Sequence, residues 1–295
     1  MPELVRHNLA KTETMLLARG DSPEIKITSL TELNSKIWGL HRKKLTLIAA
    51  RTSNGKSALA SQLAWDIASQ GFNVLFLSLE MYEEDMIERM FCQIMRVNNM
   101  DLLTGKFKEK YQNEWETFTQ KLDIMSLVIT EQLGRSWGEV HEYLFQMSVK
   151  PDVVFIDHVQ EARDAGNSNQ KAVIEEYLKK LRIMAIEYNF AAVVLSQVNR
   201  ASQEDDHREP QLHHLKGTGY LEEGADVILL LHWPYYYSKK KGENNRFIIR
   251  VAKNRNGRTG WIDVSYTPEW YLFQDYVPKQ PELVKPAQKD INWDD

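Results

Sequence analysis

An apolar run, Leu45–Ala49, gives way to the small and polar residues Ala50-Arg51-Thr52-Ser53-Asn54-Gly55-Lys56-Ser57. Apolar residues then resume four apart, at Leu59, Leu63 and Ile67. The first run reads as a buried strand and the last as a helix from about Ser57 to Gln70, with a tight turn between them. This is the phosphate-loop pattern, with alanine at the first glycine position. A polyphosphate needs backbone N–H groups pointing inward, so side chains in the turn must be small or turned away. The helix start adds its positive dipole end. Lys56 supplies a charge for the outer phosphates and Ser57 a hydroxyl for Mg²⁺. The alternative is a chance Gly-Lys-Ser at a helix start, and the strand–turn–helix setting argues against it.

Further apolar runs follow at Val74–Leu79, Val153–Ile156, Ala191–Leu195 and Val227–Leu231. Helical patterns fill residues 82–125 and 171–188 between them. The stripe Met86, Met90, Ile94 is expected to be ordinary core packing. Strands alternating with helices predict an α/β fold, a mostly parallel sheet with helices on both faces. Phe247–Ala252, Trp261–Tyr266 and Tyr271–Phe273 then predict C-terminal antiparallel hairpins, with turns at Lys241–Gly242 and Asn256–Gly257. In such folds ligands sit beyond the carboxyl ends of the parallel strands. Glu80 follows the second strand, where it is either a base for an attacking water or a helix N-terminal glutamate. Asp157 follows the third, in the place of an acid that holds Mg²⁺. Gln197 closes the fourth, as a γ-phosphate reporter or a turn residue.

Composition excludes several classes. With 295 residues, 43% of them hydrophobic, the chain has material for one large core. The net charge of −4 rules out a basic coat, so any nucleic-acid contact must be local. One cysteine, Cys92, excludes an internal disulfide and a cysteine-rich zinc site. No apolar run approaches the roughly 20 residues that a membrane helix needs, and the N-terminus lacks a signal-peptide core. A cytoplasmic chain without membrane contact is expected. His207, His213 and His214 lack a matching cysteine or carboxylate frame and are expected to face solvent.

Several segments in order resemble one family. Ala50–Ser57, Ser78-Leu79-Glu80-Met81, Ile156-Asp157-His158-Val159-Gln160 and Leu195-Ser196-Gln197-Val198-Asn199-Arg200 look like successive motifs of DnaB-type hexameric replicative helicases. The stretch from Leu215 to Asp226 resembles the family's DNA-loop motif. Lys253-Asn254-Arg255-Asn256-Gly257-Arg258-Thr259-Gly260 resembles its last motif. The match runs over about residues 25–273.

The resemblance implies a RecA-like P-loop NTPase core, assembled as a hexameric ring around single-stranded DNA and fuelled by ATP and Mg²⁺. Each nucleotide would lie between two subunits. Lys56, Ser57, Glu80, Asp157 and Gln197 would act from one side, with Ser57 and Asp157 holding the metal. Lys253 and Arg255 would reach in from the neighbour. Arg200, Lys216, Gly217 and Gly219 would meet the DNA backbone. Primase, polymerase or a helicase loader would be further partners. The RecA-like recombination and clock-type ATPases share this core, and an accessory ring that does not turn over ATP is a third possibility.

The expected division is a linker helix in 1–24, the ATPase/helicase domain in 25–277 and a disordered tail in 278–295. With so little ahead of the core, a short form of the kind carried by phages or mobile elements is expected.

Overall fold

A computed structural model of the chain describes residues 13, 20, 23–131, 136–163, 169–198, 209–215, 219–238 and 245–277. The expected linker helix (apart from Glu13), the tail, and Arg200, His207, Lys216, Gly217 and the Lys241–Gly242 turn lie outside the described residues.

Among the described residues nine strands form one sheet. In chain order they are β1 (Leu45–Ala50), β2 (Val74–Ser78), β3 (Leu127–Thr130), β4 (Val153–Asp157), β5 (Ala191–Gln197), β6 (Val227–His232), β7 (Arg246–Asn254), β8 (Gly260–Thr267) and β9 (Leu272–Asp275). Their spatial order is β3-β2-β4-β5-β1-β6-β7-β8-β9. Pairings from β3 to β6 are parallel and those from β6 to β9 antiparallel.

The parallel strands β1, β2, β4 and β6 are buried at every position. Residues of one strand point alternately to the two faces, so a strand covered on both must be apolar throughout. Thus Ile48 and Ala50 join one core, while Leu45, Leu47 and Ala49 join the other. The first core takes in α1 (Thr31–Ile37), α2 (Lys56–Ser69), α3 (Glu83–Met95) and α6 (Gln112–Asp123). The second takes in α7 (Trp137–Gln146) and α8 (Gln170–Glu187). Met86 and Met90 are fully buried in the first core, as their stripe predicts.

The antiparallel strands behave differently. In β8, Ile262, Val264 and Tyr266 are buried and alternate with partly or fully exposed residues. In β8 only one face is packed, and Ile262, Val264 and Tyr266 enter the first core; β7 is covered more fully, with Phe247, Ile248 and Ile249 buried in succession.

Several elements depart from the sequence pattern. The stretch 82–125 is not one helical block. It divides into α3, α4 (Asn99–Leu103), α5 (Phe107–Lys110) and α6. Strand β3 and helix α7 carry no sequence forecast. Nor do two short helices, α9 (Gly219–Gly224) and α10 (Pro234–Ser238). Among the described residues no helix is long and apolar enough to cross a membrane.

Candidate nucleotide site

The parallel register brings the strand ends into line. Ala50 pairs with Gln197 on one side and Leu231 on the other, and Ser78 pairs with Asp157. Residues far apart in sequence therefore emerge along one edge of the sheet.

The phosphate loop leaves that edge directly. Ala50 is fully buried, and Val198 N–H donates to its carbonyl at 3.0 Å. Thr52 and Ser53 are exposed, and Ser53 has a left-handed backbone with φ 63°. Asn54 is buried and braces the turn. Its amide donates to the Thr52 carbonyl at 3.2 Å and to the Tyr237 hydroxyl at 3.4 Å, and its side-chain oxygen accepts from Trp233 N–H at 3.3 Å. Gly55 precedes α2 with φ +71°. A side chain there would be strained, and its Cβ would come within 2.8 Å of the Phe273 ring. Glycine is thus required twice over, by the backbone and by packing. Arg51 is half-buried, with its guanidinium 5.7 Å from the centre of the Tyr237 ring.

Lys56 and Ser57 open α2, with Lys56 buried and Ser57 half-buried. The Lys56 ammonium lies 3.5 Å from Asp157 Oδ1. Burial pushes its pKa below the ordinary lysine value, and Asp157 and Glu80 oppose that shift. Asp157 is 1% exposed, yet neither carboxylate oxygen has a hydrogen-bond partner among the described residues. A buried carboxylate with a cation beside it but no hydrogen bond is costly. The arrangement fits a hydrated Mg²⁺, which would satisfy those oxygens and which Ser57 could help hold.

Glu80 sits past the end of β2, in a turn closed by the Ser78 hydroxyl. That hydroxyl donates to the Met81 carbonyl at 2.7 Å and accepts from Met81 N–H at 3.2 Å. The Glu80 side chain is 48% exposed, so solvent reaches it. His158, 2% exposed, places Nδ1 at 2.9 Å from Glu80 Oε2. One ligand atom from each of Glu80, Asp157 and His158 lies within 4.8 Å of the others.

Gln160 holds the neighbouring strand end. Its amide donates to the Ser196 hydroxyl at 2.7 Å, and its side-chain oxygen accepts from Gln197 N–H at 3.1 Å. His158 and Gln160 lie inside a recognisable motif, but nothing in their spacing assigns them a role. The contacts show Gln160 bracing the end of β5 and His158 lying against Glu80.

Lys253 and Arg255 lie elsewhere. Strand β7 runs antiparallel to β6, so Asn254 pairs with Val227, and Val227 pairs in turn with Thr46. Both cations therefore sit at the edge where the parallel strands begin. The Val227-to-Leu231 row separates them from their own phosphate loop by roughly 13 Å along the strands. The two lie together, since each donates to the Glu223 carbonyl at the end of α9. Gly219 is the first residue of α9, and no atom lies near its Cα where a side chain would project.

The histidines near the DNA-loop motif need a correction. His214 does not face solvent; it is buried, and its Nδ1 accepts from Gln211 N–H at 3.0 Å. A turn of 3-10 helix at Leu212–His214 folds the ring inward. His213 is exposed as expected.

Strand order, phosphate loop and aligned acids together define a P-loop fold of the RecA-like type. Residues 27–275 match the family model for the DnaB-like helicase C-terminal domain. The chain belongs to that family. It is 28% identical over 254 residues to the replicative DNA helicase DnaC of Bacillus subtilis, covering 83% of this chain and 55% of that protein. The chain thus spans about half the length of the curated relatives it matches. A solved DnaB-like replicative helicase, described with its interactions with primase, aligns over 91% of this chain and 68% of its own, with TM-score 0.82 and 24% identity. A second solved structure, an ATPase domain, aligns over 92% of this chain and 99% of its own, also with TM-score 0.82 and 24% identity.

Proposed function

We propose that this chain is the motor domain of a replicative DNA helicase, hydrolysing ATP with Mg²⁺ between the subunits of a hexameric ring. The ring would move 5′-to-3′ on single-stranded DNA and unwind duplex ahead of it. The observation that carries this reading is the separation of two half-sites. The cradle and acids lie at one edge of the sheet, and Lys253 and Arg255 lie at the other. In this reading the cradle binds nucleotide alone but lacks the cations for turnover, and a second copy placed edge to edge supplies them.

In this reading the loop amides and Lys56 bind the β- and γ-phosphates. Ser57 and Asp157 hold Mg²⁺, which when bound neutralises charge on the transferring phosphate. Glu80, braced by His158, orients the attacking water and accepts its proton. Gln197, fixed by Gln160, senses the γ-phosphate. Arg255 and Lys253 of the adjacent subunit stabilise the charge that builds in the transition state. Arg200, Lys216, Gly217 and Gly219 contact DNA phosphates in the channel. The names of the relatives support this activity, and the primase described with one of them makes primase a candidate partner. A cytoplasmic setting in a bacterium or phage-infected cell follows from the same reading.

The test is ATP turnover with and without oligo-dT, alongside unwinding of a forked duplex. Stimulation by oligo-dT is expected, with turnover falling about 10²- to 10³-fold in Lys56→Ala and unwinding lost in Glu80→Gln. Equal turnover with and without DNA contradicts the proposal. Strand exchange without unwinding points instead to a recombination-type ATPase, and nucleotide-dependent assembly without turnover to an accessory ring.

A further inference from the structure

Asp226 is 1% exposed and stands just before β6, at the edge that carries Arg255. Its two oxygens have different tasks. Oδ2 accepts from Leu45 N–H at 3.0 Å, and Asp226 N–H donates to the Leu45 carbonyl at 2.8 Å. These bonds lock the residue onto the start of β1. Oδ1 faces three cations: Arg255 at 3.5 Å, Lys44 at 3.6 Å and Arg182 at 3.6 Å. A carboxylate needed only to tie β6 to β1 would use one oxygen; here the second gathers charge.

Arg255 is held from three directions. Its backbone N–H donates to the Asp226 carbonyl at 2.9 Å, one guanidinium nitrogen meets Asp226 Oδ1, and the other donates to the Glu223 carbonyl at 2.6 Å. Arg182 reaches across from α8, donating to the Gly224 carbonyl at 2.6 Å. It thereby fixes the same end of α9 that receives Arg255. A guanidinium has five N–H donors in a rigid fork, and these contacts use only part of that set. The Arg255 side chain stays 43% exposed. A cation anchored on a rigid strand end, with donors to spare, is pre-organised for an incoming anion.

We propose that Asp226 is the positioning residue for Arg255, and that Arg182 is the second arm of the clamp that aims this guanidinium at a neighbouring subunit's phosphate. The inference rests on the shared-site reading above. It assigns to Asp226 an effect on turnover in the adjacent subunit, with no effect on nucleotide binding in its own.

The experiment mixes pairs of inactive variants before assembly. Lys56→Ala subunits keep a working Arg255 but have no working cradle. Asp226→Asn subunits keep a working cradle but have a misaimed Arg255. Alone, Asp226→Asn rings are expected to lose roughly ten- to a hundredfold in kcat, with the Kd for an ATP analogue unchanged. Mixed with Lys56→Ala, they should regain turnover well above either parent, because an intact cradle then meets an intact cation. The control pair is Arg255→Ala with Lys56→Ala.

If the control pair recovers and the Asp226→Asn pair does not, Asp226 acts within its own subunit and the inference is overturned. If neither pair recovers, the shared-site reading itself falls and the inference falls with it. Arg182→Gln covers the case in which Asp226→Asn fails to fold. It is expected to lower kcat about tenfold at unchanged Kd, with Arg182→Lys recovering part of the loss. Wild-type turnover in Arg182→Gln overturns the clamp.

Discussion

The parallel and antiparallel parts of the sheet share hydrogen bonds through β6 but solve different problems. The parallel part is packed on both faces, and its strands finish in register. That register turns four separate stretches of sequence into one edge bearing Lys56, Asp157, Glu80 and Gln197. The antiparallel part thins outward, and its strand β8 is packed on one face only. Because β7 reverses direction, its Lys253 end arrives at the opposite edge. In the proposed reading these two edges are complementary half-sites, which meet only between chains. The direction of a strand, as much as the residues at its end, decides at which edge they emerge.

This contrast makes unequal demands on the two parts. The largest expected effect is Phe155→Ala in β4, where the ring is fully buried and stacks on Phe76 at 5.5 Å. A loss of about 4 kcal/mol in denaturant unfolding is expected for a buried phenylalanine. A loss below about 1 kcal/mol would mean that the doubly covered part is not the rigid one.

Next comes the clasp between the parts. Gln62 of α2 donates to the Phe273 carbonyl at 2.8 Å and accepts from Phe273 N–H at 2.8 Å, both out of contact with water. Gln62→Leu strands a buried donor and a buried acceptor, for an expected loss of about 3 kcal/mol. If that variant matches wild type in unfolding, β9 is not held to the phosphate helix in the way described.

The smallest effect is predicted on the open face. Trp261 is 49% exposed, with the Arg250 guanidinium 4.7 Å from its ring centre. Trp261→Ala should cost about 0.5–1 kcal/mol. A cost equal to that of Phe155→Ala would erase the distinction between the two parts.

The cradle was legible because its chemistry is local. Strand, loop and helix are contiguous, and Gly55, Lys56 and Ser57 announce themselves in order. Asp157 and Gln197 were legible because a parallel sheet gathers strand ends by rule. Strand β3 was not, since its four residues form a half-exposed edge strand with no alternation to mark it. Helix α10 was hidden because Tyr235, Tyr236 and Tyr237 show no helical period. His214 misled because a short 3-10 turn reverses which side chains point inward. The bracing contacts of Gln160, the approach of His158 to Glu80 and the two-handed contacts of Asp226 depend on distances between elements that no local pattern encodes. The DNA-contact expectations for Arg200, Lys216 and Gly217 fall on residues outside those described.

The most direct test of the two-half-site account is turnover per subunit measured against protein concentration, with nucleotide-analogue binding and sedimentation followed in parallel. Binding should persist in the dissociated chain, because the cradle is complete in one subunit. Turnover should climb steeply only as subunits associate. Undiminished turnover at dilutions where the chain sediments as a monomer would contradict it.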